Sequence, residues 1–274
     1  MAKLNKTIGF IGSGNMARAI IRGMLQVDLV DAGNITVADP LPEAVLNMQA
    51  DTGVNAAADN RDLVQASDIL IIATKPYHVS GVVSEVRDLL DPARHLIISI
   101  CAGVRTDTIE AAAGEGIRVV RVMPNTPALI GCGSAGISAG KFASSDDLAV
   151  VSQIFDSVGT SVVLHEEKLD AVTGVTGSGP AYVFRFMEAL LAAAEAQGLT
   201  AEEAKVLVPQ MVLGSVRMAV ESDRSLEELR QAVTTPGGTT AAGLQKLEDG
   251  QFMKLIADCV AAATARSSEL AQST

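Results

Sequence analysis

The chain has 274 residues, 48 % apolar and 19 % charged, which is enough material for two ordinary domains with sizeable cores. Its formal net charge of −11 excludes nucleic acid as a main partner, because lysines and arginines would have to neutralise the phosphates. In chain order, the runs TIGFIG, ITVAD, ILIIATKP, HLIISICAG, RVVRVMP and SVVLHEE are rich in β-branched residues, and each is followed by a turn or helix signal. That rhythm predicts a doubly wound, mostly parallel sheet over residues 1–164. From residue 165 to 274 the signals change to helix caps. GSGPAYVFRFMEALLAAAEAQG has Pro180 near a first turn and Gly198 at the end, while Thr200 with Glu203 and Ser225 with Glu228 fit capping boxes. The fold class is therefore α/β, a Rossmann-type doubly wound sheet followed by an all-helical domain.

The first of these helices carries Tyr182, Val183, Phe184, Phe186, Met187, Leu190 and Leu191 with no clean polar face. In a small domain this predicts burial by a second subunit, hence an intertwined dimer. Pro209 lies inside the next helix and is expected to kink or break it. Cys101, Cys132 and Cys259 are far apart, with neither CxxC nor CxxxH spacing. They suggest no disulfide framework and no metal site, and are expected to be reduced, buried, small apolar residues. No segment approaches the ~20 apolar residues of a membrane span, and MAKLNKTIGFIGSG has no signal-peptide core, so no membrane partner and a cytoplasmic place are expected.

IGFIGSGNMARAII puts Gly12, Gly14 and Ala17 in a GxGxxA pattern between a strand and an apolar-periodic helix. Glycine permits the tight turn and the close approach of backbone to a pyrophosphate, which the free amides of the helix start would hold. Asp39 ends the second strand, where an acid pairs with a ribose hydroxyl; DP is also a turn-forming pair, and both readings stand. A carboxylate there favours NAD(H) and repels the 2′-phosphate of NADP(H), with Arg61 the nearby charge that would compensate. Lys75 in ATKP sits at a strand's carboxyl end, the ligand side of such sheets. SICAG and MPNTPA end two further strands; for Asn125 and Thr126, turn chemistry and a nicotinamide contact are equally good readings. His78, His95 and His165 have no partner pattern and read as surface or loop residues.

AVTTPGGTTAAG, residues 232–243, interrupts the helical half with a Pro-Gly-Gly turn between two threonine pairs. A turn of this kind entering a helix offers backbone N–H groups and short hydroxyls converging on one point, which suits a small carboxylate. A helix cap alone would explain Thr239 or Thr240, not both flanking pairs.

GSGNMARAI, ATKP, SICAG, RVMPNTPA, DAVTGVTGSGPAY and AVTTPGGTTAAGL together resemble the pyrroline-5-carboxylate reductase family, in its order, from Gly12 to Leu244. The last two motifs are the most specific, since no generic dinucleotide fold requires them. The resemblance implies hydride transfer from NADP(H) or NAD(H) to the C=N carbon of 1-pyrroline-5-carboxylate, giving L-proline, with the helical domain serving dimerisation. It implies a homodimer and, as a larger ring, a decamer of dimers. By motif it assigns Thr235, Gly238, Thr239 and Thr240 to the substrate, with Thr240 on the ring nitrogen and Lys75 and Thr240 as the catalytic pair. Gly12, Ser13, Gly14, Asn15, Met16, Asn60, Ala73, Lys75, Ala102 and Pro124 fall to the cofactor or the cleft beside it, together with Asp39 from the strand-end reading, with no metal. Thr235 stands where many relatives carry serine, and Asp39 departs from the family's lean to NADPH.

Three rivals remain at this level. A β-hydroxyacid dehydrogenase would need a lysine and asparagine pair on a helix of the second domain, whereas Lys205 lacks the partner and GSGPAY leads to Arg185 and Glu188. A nucleotide-sensing protein would be free to lose TTPGGTT. A related imine reductase differs by pocket size, and one methylene is worth only ~1–3 kcal/mol.

Overall fold

A computed structural model describes residues 3–272. The chain separates into two compact units, residues 1–178 with 261–274 and residues 179–260. The first unit begins β1 (Ile8–Ile11), α1 (Asn15–Gln26), β2 (Ile35–Ala38), α2 (Pro42–Thr52), β3 (Asn55–Ala56), α3 (Asn60–Ala66) and β4 (Ile69–Ile72). It continues with α4 (Val79–Glu85), β5 (Leu96–Ser99), α5 (Thr106–Ala113), β6 (Arg118–Met123), β7 (Gly133–Ala139), α6 (Ser145–Asp156) and β8 (Gly159–Val163).

The eight strands form one sheet in the order β3-β2-β1-β4-β5-β6-β7-β8, parallel except for the β6–β7 pair. Strands buried on both faces read as unbroken apolar runs, and the ILII of β4 is buried at all four positions. Alternate residues feed two cores. Phe10, Ile71, Ile98 and Val120 meet Ile20, Met24 and Phe155 of α1 and α6 on one face. On the other, Leu70, Ile97 and Val119 meet Leu63, Val83 and Ile109 of α3, α4 and α5.

The six runs read as strands are β1, β2, β4, β5, β6 and β8. β3 and β7 escaped that reading. β3 has two residues, and GSAGISA of β7 carries almost no β-branched side chains, so its strand form comes from pairing between β6 and β8 rather than from propensity.

After β8, Glu166 ties the chain back to the sheet: Thr106 N–H and hydroxyl donate to it at 2.8 and 2.7 Å, and the buried Arg121 guanidinium at 3.2 Å. A short α7 (Leu169–Val172) then widens into a π-turn over Thr173–Gly177. The second unit holds α8 (Gly179–Ala196), α9 (Ala201–Glu221), α10 (Leu226–Ala232), α11 (Thr239–Asp249) and the start of α12 (Phe252–Gln272), whose last turns count with the first unit. Both expected capping boxes form, at Thr200 with Glu203 and at Ser225 with Glu228. In the first unit, Asp170 accepts from the hydroxyls of Ser267 and Ser268 on α12 at 2.7 and 2.8 Å.

Three expectations need correction. α9 continues past Pro209 as one helix from Ala201 to Glu221, so of the two expected outcomes, a kink or a break, the break does not occur. Of the cysteines only Cys101 is buried; Cys132 is exposed and Cys259 half-buried. His95 is a loop residue yet buried, because its Nδ1 accepts from Asp91 N–H at 2.8 Å and closes the turn inward before β5. Among the described residues no helix is long and apolar enough to cross a membrane, and no group of metal-ligating side chains forms.

Candidate functional site

Strand order reverses at β1, which has β2 on one side and β4 on the other. Ligands of open α/β sheets bind in the crevice outside the carboxyl ends of the strands at such a point. Gly12, directly after β1, has φ +102°, and a Cβ on it would lie 2.7 Å from the Ala73 carbonyl oxygen. Only glycine fits there. Gly14 is the N-cap of α1, makes no side-chain cap bond, and a Cβ on it would meet nothing within 4 Å. The helix start is thus open towards solvent with free N–H groups and the positive end of the dipole, an arrangement that takes an anion. Asn15 is exposed on the first turn, and Met16 is half-buried against the core.

A cavity of about 350 Å³ opens beside this turn, bordered by Gly12, Asp39, Asp59, Asn60, Thr74, His78 and Glu85 among others. Its size and its position beyond β1, β2 and β4 suit the adenosine half of a dinucleotide. Asp39 is held firmly. Ser13 N–H and hydroxyl donate to its Oδ2 at 2.8 and 3.0 Å, and Leu41 N–H donates to Oδ1 at 3.0 Å. The N–H and hydroxyl of Ser13 are therefore spent on Asp39, so Ser13 serves the site by fixing the carboxylate. Asn60 opens α3 and donates to Glu85 Oε2 at 3.1 Å, and Asp59 caps the same helix by accepting from Asp62 N–H.

Towards the other strands, Lys75 is exposed just before a single turn, Pro76–His78. Ala102 lies exposed after β5, on a second hollow of about 230 Å³ shared with Thr173, Ser178 and Arg266. Below it, burial pushes the Cys101 thiol up, and its sulfur lies 3.2 Å from the Thr74 carbonyl. Pro124 is buried after β6. Asn125, left open between two roles, is spent inside the protein. Its Nδ2 donates to Ser134 Oγ at 2.9 Å and to the Thr176 carbonyl at 3.1 Å, and its Oδ1 accepts from Ser134 N–H at 2.9 Å. It ties β7 to the π-turn, which settles it as a structural residue.

In the second unit, TTPGGTT makes another open helix start. Gly237 has φ +73°, Gly238 caps α11 without a side-chain bond, and Gly238 N–H donates to the Thr235 carbonyl at 3.0 Å. Thr239 and Thr240 are the first two helical residues, with Thr235 and Thr239 exposed and Thr240 half-exposed. Thr235, Gly238, Thr239 and Thr240 of one short motif thus lie at one helix terminus.

The sequence reading missed Asp59, Glu85 and His78. Asp59 has a local signal, DNRD, an Asp three residues before an amide it caps. Glu85 and His78 have none, because they reach the cavity only through the folding of α4 against the sheet.

Comparison with known proteins agrees with both halves. A family model described as pyrroline-5-carboxylate reductase dimerisation matches residues 166–270. One described as NADP oxidoreductase coenzyme F420-dependent matches residues 7–103. The pyrroline-5-carboxylate reductase of Methanosarcina acetivorans is 40 % identical over 266 residues, covering 97 % of this chain and 98 % of that one. Pyrroline-5-carboxylate reductase 2 of Bacillus subtilis is 36 % identical, covering 97 % and 95 %. Among solved structures, the Coxiella burnetii pyrroline-5-carboxylate reductase superposes with a TM-score of 0.93 at 37 % identity, covering 97 % of this chain and 99 % of that one. The Plasmodium falciparum pyrroline carboxylate reductase, with NADP bound, gives 0.86 at 33 %, covering 98 % and 100 %.

Proposed function

The chain belongs to the pyrroline-5-carboxylate reductase family, and from that premise we propose that its two open helix starts divide the anionic reactants between them. It is an NAD(P)H-dependent oxidoreductase that reduces the C=N bond of 1-pyrroline-5-carboxylate to give L-proline, the proline-forming step of biosynthesis.

The amides at the start of α1 take the pyrophosphate, which Gly14 leaves room to approach, and Asp39 with Asn60 borders the ribose. When bound, NAD(P)H supplies the hydride. The amides at the start of α11 take the substrate carboxylate, and the hydroxyls of Thr235 and Thr239 complete its hydrogen bonds. Thr240 holds the ring nitrogen through its hydroxyl. Lys75, Ala73, Ala102 and Pro124 line the path from the ribose towards the nicotinamide, where Lys75 keeps a positive charge at the strand tips. The imine is electrophilic once protonated at nitrogen, so alignment and exclusion of water are most of what the protein must provide. No histidine or carboxylate pair is needed as a general base.

The observation that carries this reading is the Gly238 cap: a side-chain-free helix start flanked by threonine hydroxyls, in a unit that binds no dinucleotide in a generic fold of this class. Residues 165–274 are the dimerisation and substrate segment, as the family model over 166–270 supports. A homodimer, assembled into larger rings up to a decamer of dimers, is the proposed state. A cytoplasmic place is supported by three free cysteines, of which Cys132 is exposed. The test is absorbance of the reduced nicotinamide with 1-pyrroline-5-carboxylate and NADH or NADPH in parallel, with proline assayed as product. Rapid oxidation with stoichiometric proline is expected; folded protein that oxidises neither would overturn the assignment.

A further inference from the structure

We propose that this chain selects NADH over NADPH, through an acidic ribose pocket in which Asp39 accepts the 2′-hydroxyl and from whose lining Arg61 is held away. The inference rests on the cofactor site proposed above and concerns its selectivity.

Three carboxylates, Asp39, Asp59 and Glu85, border the cavity beside the glycine turn, and its lining contains no lysine or arginine. A 2′-phosphate there would bring negative charge against all three with no lysine or arginine in the lining to balance it, whereas a hydroxyl would bring a donor.

The Asp39 carboxylate has about four acceptor positions, two on each oxygen. Ser13 fills both on Oδ2, and Leu41 N–H fills one on Oδ1. One position on Oδ1 is left, which matches a single hydroxyl donor. Because the glycine turn itself holds the carboxylate, Asp39 cannot swing aside for a phosphate without giving up the two bonds from Ser13.

Arg61 stands on α3, next to Asn60, where it could in principle meet a phosphate. Its guanidinium is instead forked onto Asp88, with Nη1 and Nη2 at 2.8 and 2.7 Å, and Nη1 also donates to the Glu85 carbonyl at 2.9 Å. Neither Arg61 nor Asp88 lines the cavity. That the Plasmodium falciparum relative holds NADP does not carry over to a pocket so charged.

The experiment is a binding titration of the purified protein, following the fluorescence of NADH and NADPH, with 5′-AMP and its 2′-phosphate derivative as fragment probes by calorimetry. NADH is expected to bind about tenfold or more tightly than NADPH, since one unit of opposed charge at a partly screened site is enough for that ratio. Asp39→Ser removes the opposed charge and should reduce the ratio to near one or invert it. Asp88→Ala frees Arg61 without touching the cavity and should tighten NADPH and the 2′-phosphate fragment while leaving NADH as it was, and adding Arg61→Ala should cancel that gain. Equal or tighter NADPH binding by the unaltered protein would overturn the selectivity and leave the reductase assignment standing. So would an unchanged ratio in both Asp39→Ser and Asp88→Ala, confirmed as folded by circular dichroism. Binding of neither nucleotide would overturn the cofactor site itself and this inference with it.

Discussion

Thr240 and Asp39 are assigned to different reactants, and each can be tested one side chain at a time. Thr240 is the second residue of α11 and lies in the helical unit, away from the glycine turn in the chain. Its hydroxyl is assigned to the substrate ring nitrogen, so Thr240→Ala should lose one hydrogen bond to a polar, partly charged partner, worth ~1.5–3 kcal/mol. This corresponds to a fall of about ten- to a hundredfold in kcat/KM for the pyrroline. The dissociation constant of the cofactor should stay within experimental scatter, and Thr240→Ser should recover most of the loss. Comparable damage to both ligands would remove Thr240 from the substrate. At this scale the contiguous motifs were legible: Gly12 and Gly14 do what a GxGxxA turn requires, since that requirement is local backbone geometry. Asn125 could not be resolved from sequence. Its partners are Ser134, nine residues on, and Thr176, fifty-one residues on, and only the folded chain brings them to it. Glu85 comes to border the same cavity as Asp39 by an equally long route.

Elements whose form is set by their own residues were equally open to reading. The capping boxes of α9 and α10 are four-residue devices, and both form as spelled. β7 is the counter-example, a glycine- and alanine-rich strand held in place by its neighbours. The turn leading to β5 shows how an element's start can depend on one protonation state. His95 is buried there, accepting at Nδ1 from Asp91 N–H, while His95 N–H donates to the Asp91 carbonyl at 2.8 Å. Burial first, and then the positive charge of Arg94, holds its pKa below the ordinary value; the Val64 backbone, Asp91 and Asp68 oppose this only in part. A histidine favoured neutral in the fold adds stability that is present above its unfolded pKa of about 6.5 and is lost as pH falls through the lower folded value. Thermal or urea midpoints measured from pH 7.5 to 5 should therefore decline, and His95→Gln, which cannot be protonated, should flatten that decline. The same slope in both proteins would assign the acid sensitivity to other groups.

On the scale of the whole molecule, the second unit is not a finished globule. No residue of α8 is buried, and Val183, Phe184 and Phe186 are exposed, as are Leu207, Met211, Leu213 and Met218 of α9. Single exposed apolar side chains are ordinary, but so many on two neighbouring helices mark a surface that another chain covers. Its place within the segment matched by the dimerisation model supports a second copy as that chain. The all-round apolar character of this helix, and from it the expectation of a second copy, was readable from residues 179–196; which residues of that copy would meet it was not, because no pattern within one chain encodes them. Sedimentation at micromolar concentration should accordingly show a dimer or a larger even assembly. Phe184 is 62 % exposed in the single chain, and a phenyl ring fully buried from water contributes ~1.5–3 kcal/mol. In a two-fold dimer each substitution counts twice, so Phe184→Asp should weaken association by about a hundredfold or more, with desolvation of the new carboxylates adding to the loss. Circular dichroism should remain helical, since the ring supports no core within its own chain. An unaltered protein that sediments as a monomer, or a Phe184→Asp variant that associates as tightly as before, would mean that some other face of the molecule makes the dimer.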